Sequence, residues 1–423
     1  MKKILLFSFC LILFLQSCAR APLTDPLKAF HPSGSPDLRD AYPIETLREA
    51  VDKTLAAFKS SSTIPQEFYF GERVIKRHEY QSALEALVPE LQSYERFHEF
   101  VMRNFDFFEV YGDESYGQIF STGYYDVVML GSRKPSGKFT EPLYRFPPDI
   151  VSVDLKAFAE RLPDVKPLQS MVAEMKSPKP AWRGRLLQEG NQTKVVPYFQ
   201  RAEIQRARPL AGKKLELAYV DPIDAFFVEI QGSGVVEFDD GKRMRVGYDG
   251  QNGSPYVPIG RHLLHVIPKE LMSMQRIRQH LETLSRDQQQ EIFDKNPSFV
   301  FFKELKGESL TYSGAEVTAH RTIASDSFLF PKGLLGFMEM EMPIFADPAA
   351  LDPSGWEMKP RWVFDQDTGG AIRGGGRTDI YMGQGPDAAR SAGVMKRKGK
   401  LWYAAPKPEF VESLNARTGI AVR

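Results

Sequence analysis

The chain has 423 residues, 42% hydrophobic and 26% charged, a composition that supports large cores and, at about 150 residues per domain, two or three domains. A formal net charge of +1 with no basic stripe excludes the electrostatic footprint of nucleic-acid binding, so a neutral polymer or a small ligand is the better match. Cys10 and Cys18 are the only cysteines, and a chain that loses its first residues keeps no disulfide.

Residues 1–17 read as a signal peptide: Lys2 and Lys3 precede an apolar run, Ile4 to Leu15, too short to span a bilayer comfortably. The run ends in Leu15-Gln16-Ser17-Cys18, which resembles a bacterial lipobox and marks Cys18 for lipidation. Ala19 behind it looks like outer-membrane sorting, which implies a lipid-anchored protein of a Gram-negative outer membrane, facing the periplasm. Residues 18–42, rich in Pro, Ser, Asp and Gly, are expected to form a solvated tether. Leu47, Ala50, Val51, Leu55 and Phe58 then fall at helical spacing, as do Leu91, Tyr94, Phe97, Val101 and Phe105.

Short β-branched runs broken by Gly and Pro from Gly123 to Leu155 predict strands, with Tyr124, Tyr125 and Arg133 as candidate lining of a cleft. In the next block Phe226, Val228 and Ile230 alternate with Phe227, Glu229 and Gln231, a strand pattern, and Asp239-Asp240-Gly241 predicts a hairpin turn. Asp224, Gln231, Ser233, Asn252 and Tyr256 offer the carboxylate, amide and hydroxyl groups that pair with sugar hydroxyls and acetamido groups. Leu271, Met274, Ile277, Leu281 and Leu284 predict a helix, and Ser285 with Gln288 a capping box that opens another. Asn296 to Phe302 returns to strand, and residues 343–360 look like a surface excursion.

The stretch from Arg361 to Met395 carries Asp365, Asp367 and Asp379 among glycines, of which Gly369 and Gly370 let a ligand approach the backbone. Alternation puts Asp365 and Asp367 on one face of a strand, with Asp365 solvated, and sends Asp379 and Tyr381 opposite to Thr378, Ile380 and Met382. These acids are open to a metal, a protease dyad or a sugar. No metal is assigned, because His262 and His265 lack a third ligand and no HExxH or CxxC motif occurs. Asp367-Thr368-Gly369 occurs once, whereas aspartic proteases need two such triplets. Gly383 to Ala388 is a turn and helix start rather than a dinucleotide loop.

The segments GYY with GSR, PLYR with PPD, RGRL, VPYFQRAEI, DPIDAFFVEIQGSG, GQNGSPY with IGR, NPSFVFF, and DTGGAI with TDIYMGQG follow one another as in the membrane-bound lytic murein transglycosylase A family. The resemblance covers most of Gly123 to Met395. It implies a mainly β fold with peripheral helices: a double-psi β-barrel domain (residues 43–155 and 313–423) interrupted by a smaller inserted β domain (residues 156–312), with a groove between them. The family's closing three-aspartate module would span about residues 315–395, its pattern falling on Asp326, Asp367 and Asp379. The implied chemistry is cleavage of the β-1,4 bond between N-acetylmuramic acid and N-acetylglucosamine with a 1,6-anhydro product and no cofactor. Asp379 would be the single acid and base, Asp367 its tuning neighbour, and Asp326 a substrate contact. The implied partners are peptidoglycan glycan strands, outer-membrane lipid through Cys18, and periplasmic cell-wall enzymes. A non-catalytic glycan-binding barrel and a hydrolase on the same barrel remain as alternatives. The chain departs from the family pattern at Asp126-Val127, in place of Glu-Pro, and across residues 316–326, where His320 falls.

Overall fold

Six strands close on themselves because each apolar face has to find another. Going round the ring they are Gln118–Ser132, Arg377–Gln384, Thr322–Ala324, Arg361–Asp367, Leu334–Ile344 and Lys396–Pro406, and the last pairs back to the first. Two of the pairings are parallel, that of Arg377–Gln384 with Gln118–Ser132 and that of Thr322–Ala324 with Arg361–Asp367. The computed structural model describes residues 23, 25–112, 116–174 and 181–418. The expected signal segment and Cys18 lie outside the described residues.

The barrel is filled by the inward set of its strands: Ile323, Leu334, Val363, Ile380, Leu401 and Tyr403 are all fully buried, while Phe337, Trp362 and Phe364 pack on the outer face. Trp362 meets Phe337 edge-on at 5.2 Å and Phe97 at 5.0 Å. The helix Ile44–Ser60 lies against the barrel on the stripe its spacing predicted, with Leu47, Ala50, Val51, Leu55 and Phe58 buried. Tyr94–Asn104 is the second predicted helix, with Leu91 and Phe105 just outside its ends.

The strand Gln118–Ser132 serves two sheets. Its first half is barrel, whereas Val127 to Gly131 pair in parallel with Ser233–Phe238, and Gly131 and Ser132 pair with Glu216–Val220. The barrel and the sheet of the central region are therefore one continuous ladder of 14 strands. A separate three-stranded sheet, Val151–Asp154, Ala181–Glu189 and Gln192–Pro197, sits beyond it. The predicted turn closes the hairpin from Ser233–Phe238 to Arg243–Gln251, where Gly241 takes φ 75°. Ser285 and Gln288 form the capping box that opens Arg286–Phe293. Most of residues 343–360 is exposed or half-buried, with one short strand, Gly355–Met358, folded back on Pro343 and Ile344.

Two expectations are overturned. Residues 222–231 form a helix, Pro222–Gln231, not a strand. Asp221 accepts from the Ile223 N–H as N-cap, Pro222 occupies the first turn, and Gly232 ends the helix at φ 84°. Alternation misled because this helix is buried from Ala225 to Glu229, and a segment buried all round has no period to show. The supposed tether is docked from Ala29 onward: Phe30–Ser33 pairs with Phe105–Val110, and Ala29 and Leu38 are buried. Asp40 makes a buried salt bridge with Arg321 at 2.5 Å and accepts the Trp362 N–H at 2.8 Å.

Candidate active site

A β-bulge creates the site. On the short strand Thr322–Ala324, Ile323 is in register with Asp365 and the very next residue, Ala324, with Asp367, so one residue of the Arg361–Asp367 strand is extra. Ladder partners share a face. Ile323 also pairs with Ile380, and Ala324 with Asp379. Asp365 is thus turned into the barrel with Ile323 and Ile380, and Asp367 is turned out beside Ala324 and Asp379. The expectation that Asp365 and Asp367 share a face fails for this reason, as does that of a solvated Asp365. Asp365 is 0% exposed, paired with Lys332 Nζ at 2.7 Å and accepting from Tyr403 Oη at 2.6 Å.

The outward face continues across the ladder: Asp379 is in register with Thr122, and Tyr381 with Tyr124. The two tyrosine rings meet at 5.3 Å, and Tyr124 Oη donates to Asp367 Oδ2 at 3.1 Å. Asp367 Oδ1 accepts two backbone N–H groups, from Tyr312 at 3.0 Å and Thr368 at 2.9 Å. Burial pushes the Asp367 pKa up, while these three donors hold it down.

Asp379 is less occupied. Its nearest cation is Arg377, Nη2 to Oδ1 at 3.5 Å, and its side chain is 20% exposed. Burial drives its pKa up to about 7, opposed by Arg377 and the Thr122 N–H and assisted by Asp367. A carboxyl poised there can give a proton and take one back.

Asp326 braces a loop: Oδ1 accepts from the Phe328 N–H at 3.1 Å and Oδ2 from the Gly374 N–H at 2.7 Å. Gly369 and Gly370 follow Asp367 directly, and nothing lies within 4 Å of where a Gly370 Cβ would be.

The central-region candidates divide. Gln231 and Ser233 reach the site's strand, Gln231 Oε1 accepting from the Tyr125 N–H at 3.0 Å and Ser233 Oγ donating to Asp126. Tyr125 is buried, so of the tyrosine pair Tyr124 alone belongs to the Asp367 face. Asp224 is engaged by Arg278 at 2.6 Å, Arg133 lies over the Phe238 ring at 4.2 Å, and Tyr256 is 39% exposed. Asn252 has no free polar atom to offer a sugar. Buried at 1% exposure, it donates to the carbonyls of Phe199 and Pro297 and accepts from the N–H groups of Ser254 and Phe299.

Sequence reasoning missed Asp126 as a contributor. Fully buried, it gathers Ser233, Arg245 at 2.6 Å and Ser309 at 2.8 Å, joining the Tyr124 strand to the second sheet and to the segment that returns to the barrel. The signal for it was its place directly after Tyr124-Tyr125. The Tyr312 N–H had no signal in residue type, since any residue but proline supplies it.

Comparisons with known proteins bear on the chain as a whole. The family model for the MltA specific insert domain matches residues 120–303, and that for the 3D domain matches residues 321–405. Membrane-bound lytic murein transglycosylase A of Escherichia coli (strain K12) is 32% identical over 321 residues, 73% of this chain and 72% of that protein. The Vibrio cholerae protein of the same name is 34% identical over 210 residues, 48% of this chain and 54% of that one. Among solved structures, a membrane-bound lytic murein transglycosylase from Agrobacterium tumefaciens superposes with TM-score 0.70 at 25% identity, over 92% of this chain and 99% of that one. MltA from E. coli with bound chitohexaose superposes with TM-score 0.63 at 25% identity, over 92% and 96%. The chain belongs to the membrane-bound lytic murein transglycosylase A family.

Proposed function

We propose that the chain is a peptidoglycan lytic transglycosylase that cleaves the β-1,4 bond from N-acetylmuramic acid to N-acetylglucosamine and leaves a 1,6-anhydro end, with Asp379 as its one acid and base. The observation that carries this reading is the occupancy of the aspartates. Asp365 is in a buried ion pair, both Asp326 oxygens accept backbone N–H groups, and Asp367 has three donors. Asp379 alone combines partial exposure with a pKa near neutrality. A hydrolase of the usual kind needs a second working carboxyl, to place water or attack the sugar.

In the proposed reaction protonated Asp379 gives its proton to the glycosidic oxygen as the bond to C1 breaks. Positive charge grows at C1 and the ring oxygen, where the Asp367 carboxylate opposes it. The C6 hydroxyl of the same sugar then closes on C1, and Asp379 takes its proton, which restores the enzyme without water or cofactor. The E. coli relative's bound chitohexaose supports a glycan strand as the ligand. The relatives' names support a membrane-bound enzyme, for which Cys18 is the proposed lipid attachment at the outer membrane.

Digestion of purified sacculi followed by mass spectrometry tests the reading. 1,6-Anhydro ends are expected. Reducing ends would replace the lyase with a hydrolase, and no release at all would leave a glycan-binding barrel.

A further inference from the structure

The hairpin of Glu67–Phe70 and Arg73–Lys76 has one dry face and one wet one. Phe68, Phe70 and Ile75 are buried, with Phe68 stacked on the Tyr80 ring at 4.8 Å and Phe70 against Phe108 at 5.2 Å. The register pairs Glu67 with Lys76 and Tyr69 with Val74, and ladder partners share a face, so all four look outward. Tyr69 is 40% exposed, an aromatic ring held out on a backbone that the core fixes from behind. Its hydroxyl donates to Glu67 at 2.5 Å, which pins the ring.

A cavity of about 590 Å³ lies against this outward face, within the ~300–1,000 Å³ of ordinary ligand clefts. Glu67, Tyr69 and Lys76 line it from the hairpin, Gln66 from the residue before, and His78 from the helix Arg77–Leu87. Arg77 lines it too, but its guanidinium is engaged by the chain: Nη1 donates to the carbonyls of Ser61 and Ile64, both at 3.0 Å, and Nη2 to that of Phe58. Lys76 is matched across the ladder by Glu67, so the cavity has little net charge to offer an ion. The Gln66 amide and the His78 imidazole have no side-chain partner among the described residues. Asp379, Asp367 and Tyr124 do not line the cavity, yet it is joined to their face. Thr63, two residues before the lining Pro65, donates from Oγ1 to the Tyr312 carbonyl at 2.7 Å, and the Tyr312 N–H is a donor to Asp367.

We propose that this cavity is a second glycan-binding site, in which one face of an N-acetylated sugar lies on the Tyr69 ring and its hydroxyl and acetamido groups meet Gln66 and His78. A ring beside an amide and an imidazole, in a cleft of little net charge, suits a neutral sugar. A phosphate or a carboxylate would call for a cation whose charge is not already engaged. The proposal rests on the reading of the chain as a murein enzyme, whose substrate is a polymer longer than the catalytic face. A strand seated on Tyr69 stays with the enzyme between cuts at Asp379.

The probe is chitohexaose, titrated calorimetrically into the full chain carrying Asp379→Asn, which removes the proposed acid and base so that binding is read without turnover, and into the same protein with Tyr69→Ala added. Two hexasaccharides per chain are expected in the first protein and one in the second. Loss of one site on Tyr69→Ala upholds the proposal, and equal stoichiometry in the two proteins, whatever its value, overturns it. The ends released from sacculi decide the catalytic reading separately, so either can fail without the other. Should the Tyr69→Ala protein not fold, hydroxyl-radical footprinting of the Asp379→Asn protein decides alone: slower oxidation of Tyr69 under saturating chitohexaose upholds the site, and an unchanged rate removes it.

Discussion

Arg377 holds its guanidinium 3.5 Å from Asp379 and is itself held by Thr122, which accepts from Nη2 at 2.6 Å. In the proposed reaction a cation beside an acid that starts protonated looks counterproductive until the second half is considered, when the same carboxyl acts as base. Burial raises the Asp379 pKa and Arg377 limits the rise. Replacing Arg377 with Met removes the lowering influence, so the protonated fraction persists to higher pH. The falling limb of the pH–rate profile should move up by about one unit, with a lower maximal rate because a weaker acid gives its proton less readily to the glycosidic oxygen. Sacculus turbidity followed from pH 5 to 9 checks this.

Asp379 also ties stability to pH. Its native pKa of about 7 lies above the unfolded value of about 3.9, so its contribution is fully present below that lower value and is lost as pH rises through 7. Asp379→Asn carries no such penalty. The variant should be inactive, equal in stability to the parent near pH 4, and more stable by ~1–4 kcal/mol at pH 8. Urea unfolding at the two pH values measures the difference.

Tyr124→Phe deletes the hydroxyl donor to Asp367 and leaves the ring against Tyr381. With one donor gone, Asp367 is harder to keep ionised, and the charge opposing the developing cation weakens. Turnover should fall about tenfold, the effect of ~1.4 kcal/mol at the transition state, while the thermal midpoint drops only slightly. Steady-state kinetics on soluble muropeptide oligomers separates the two effects.

Lys332→Met strands Asp365 in the barrel interior with only the Ser325 and Tyr403 hydroxyls. Breaking a buried pair from one side costs about 3–5 kcal/mol. Chemical denaturation should show that loss, and Lys332→Met with Asp365→Leu should recover much of it.

The parts of the fold written in local pattern were legible: the stripe of Ile44–Ser60, the capping box at Ser285, the turn at Gly241, and the outward pairing of Asp379 with Tyr381. What was not legible depends on partners far along the chain. Asp40 looked like tether because its partner Arg321 is 281 residues away. Asp365 looked solvated because Lys332 comes from a turn and Tyr403 from another strand, and its face is set by a bulge that shows only in the register with Ile323 and Ala324. Asn252 looked like a sugar contact because residue type says nothing about which carbonyls will be within reach. Asp221, Pro222 and Gly232 did announce the helix that was taken for a strand, and those punctuation residues outweigh alternation when a segment is apolar throughout.

The 15-residue strand Gln118–Ser132 has a mechanical meaning. Since the same backbone is a stave of the barrel and a rib of the neighbouring sheet, the two halves cannot swing apart about a loop. Opening would require tearing the ladder or bending the strand near Tyr125, where the Gln231 and Asp126 bonds resist it. The molecule is therefore built as a rigid jaw. On the proposed function a glycan strand would meet a fixed edge at Asp379 rather than be clamped, and heating should melt both halves together in one cooperative step.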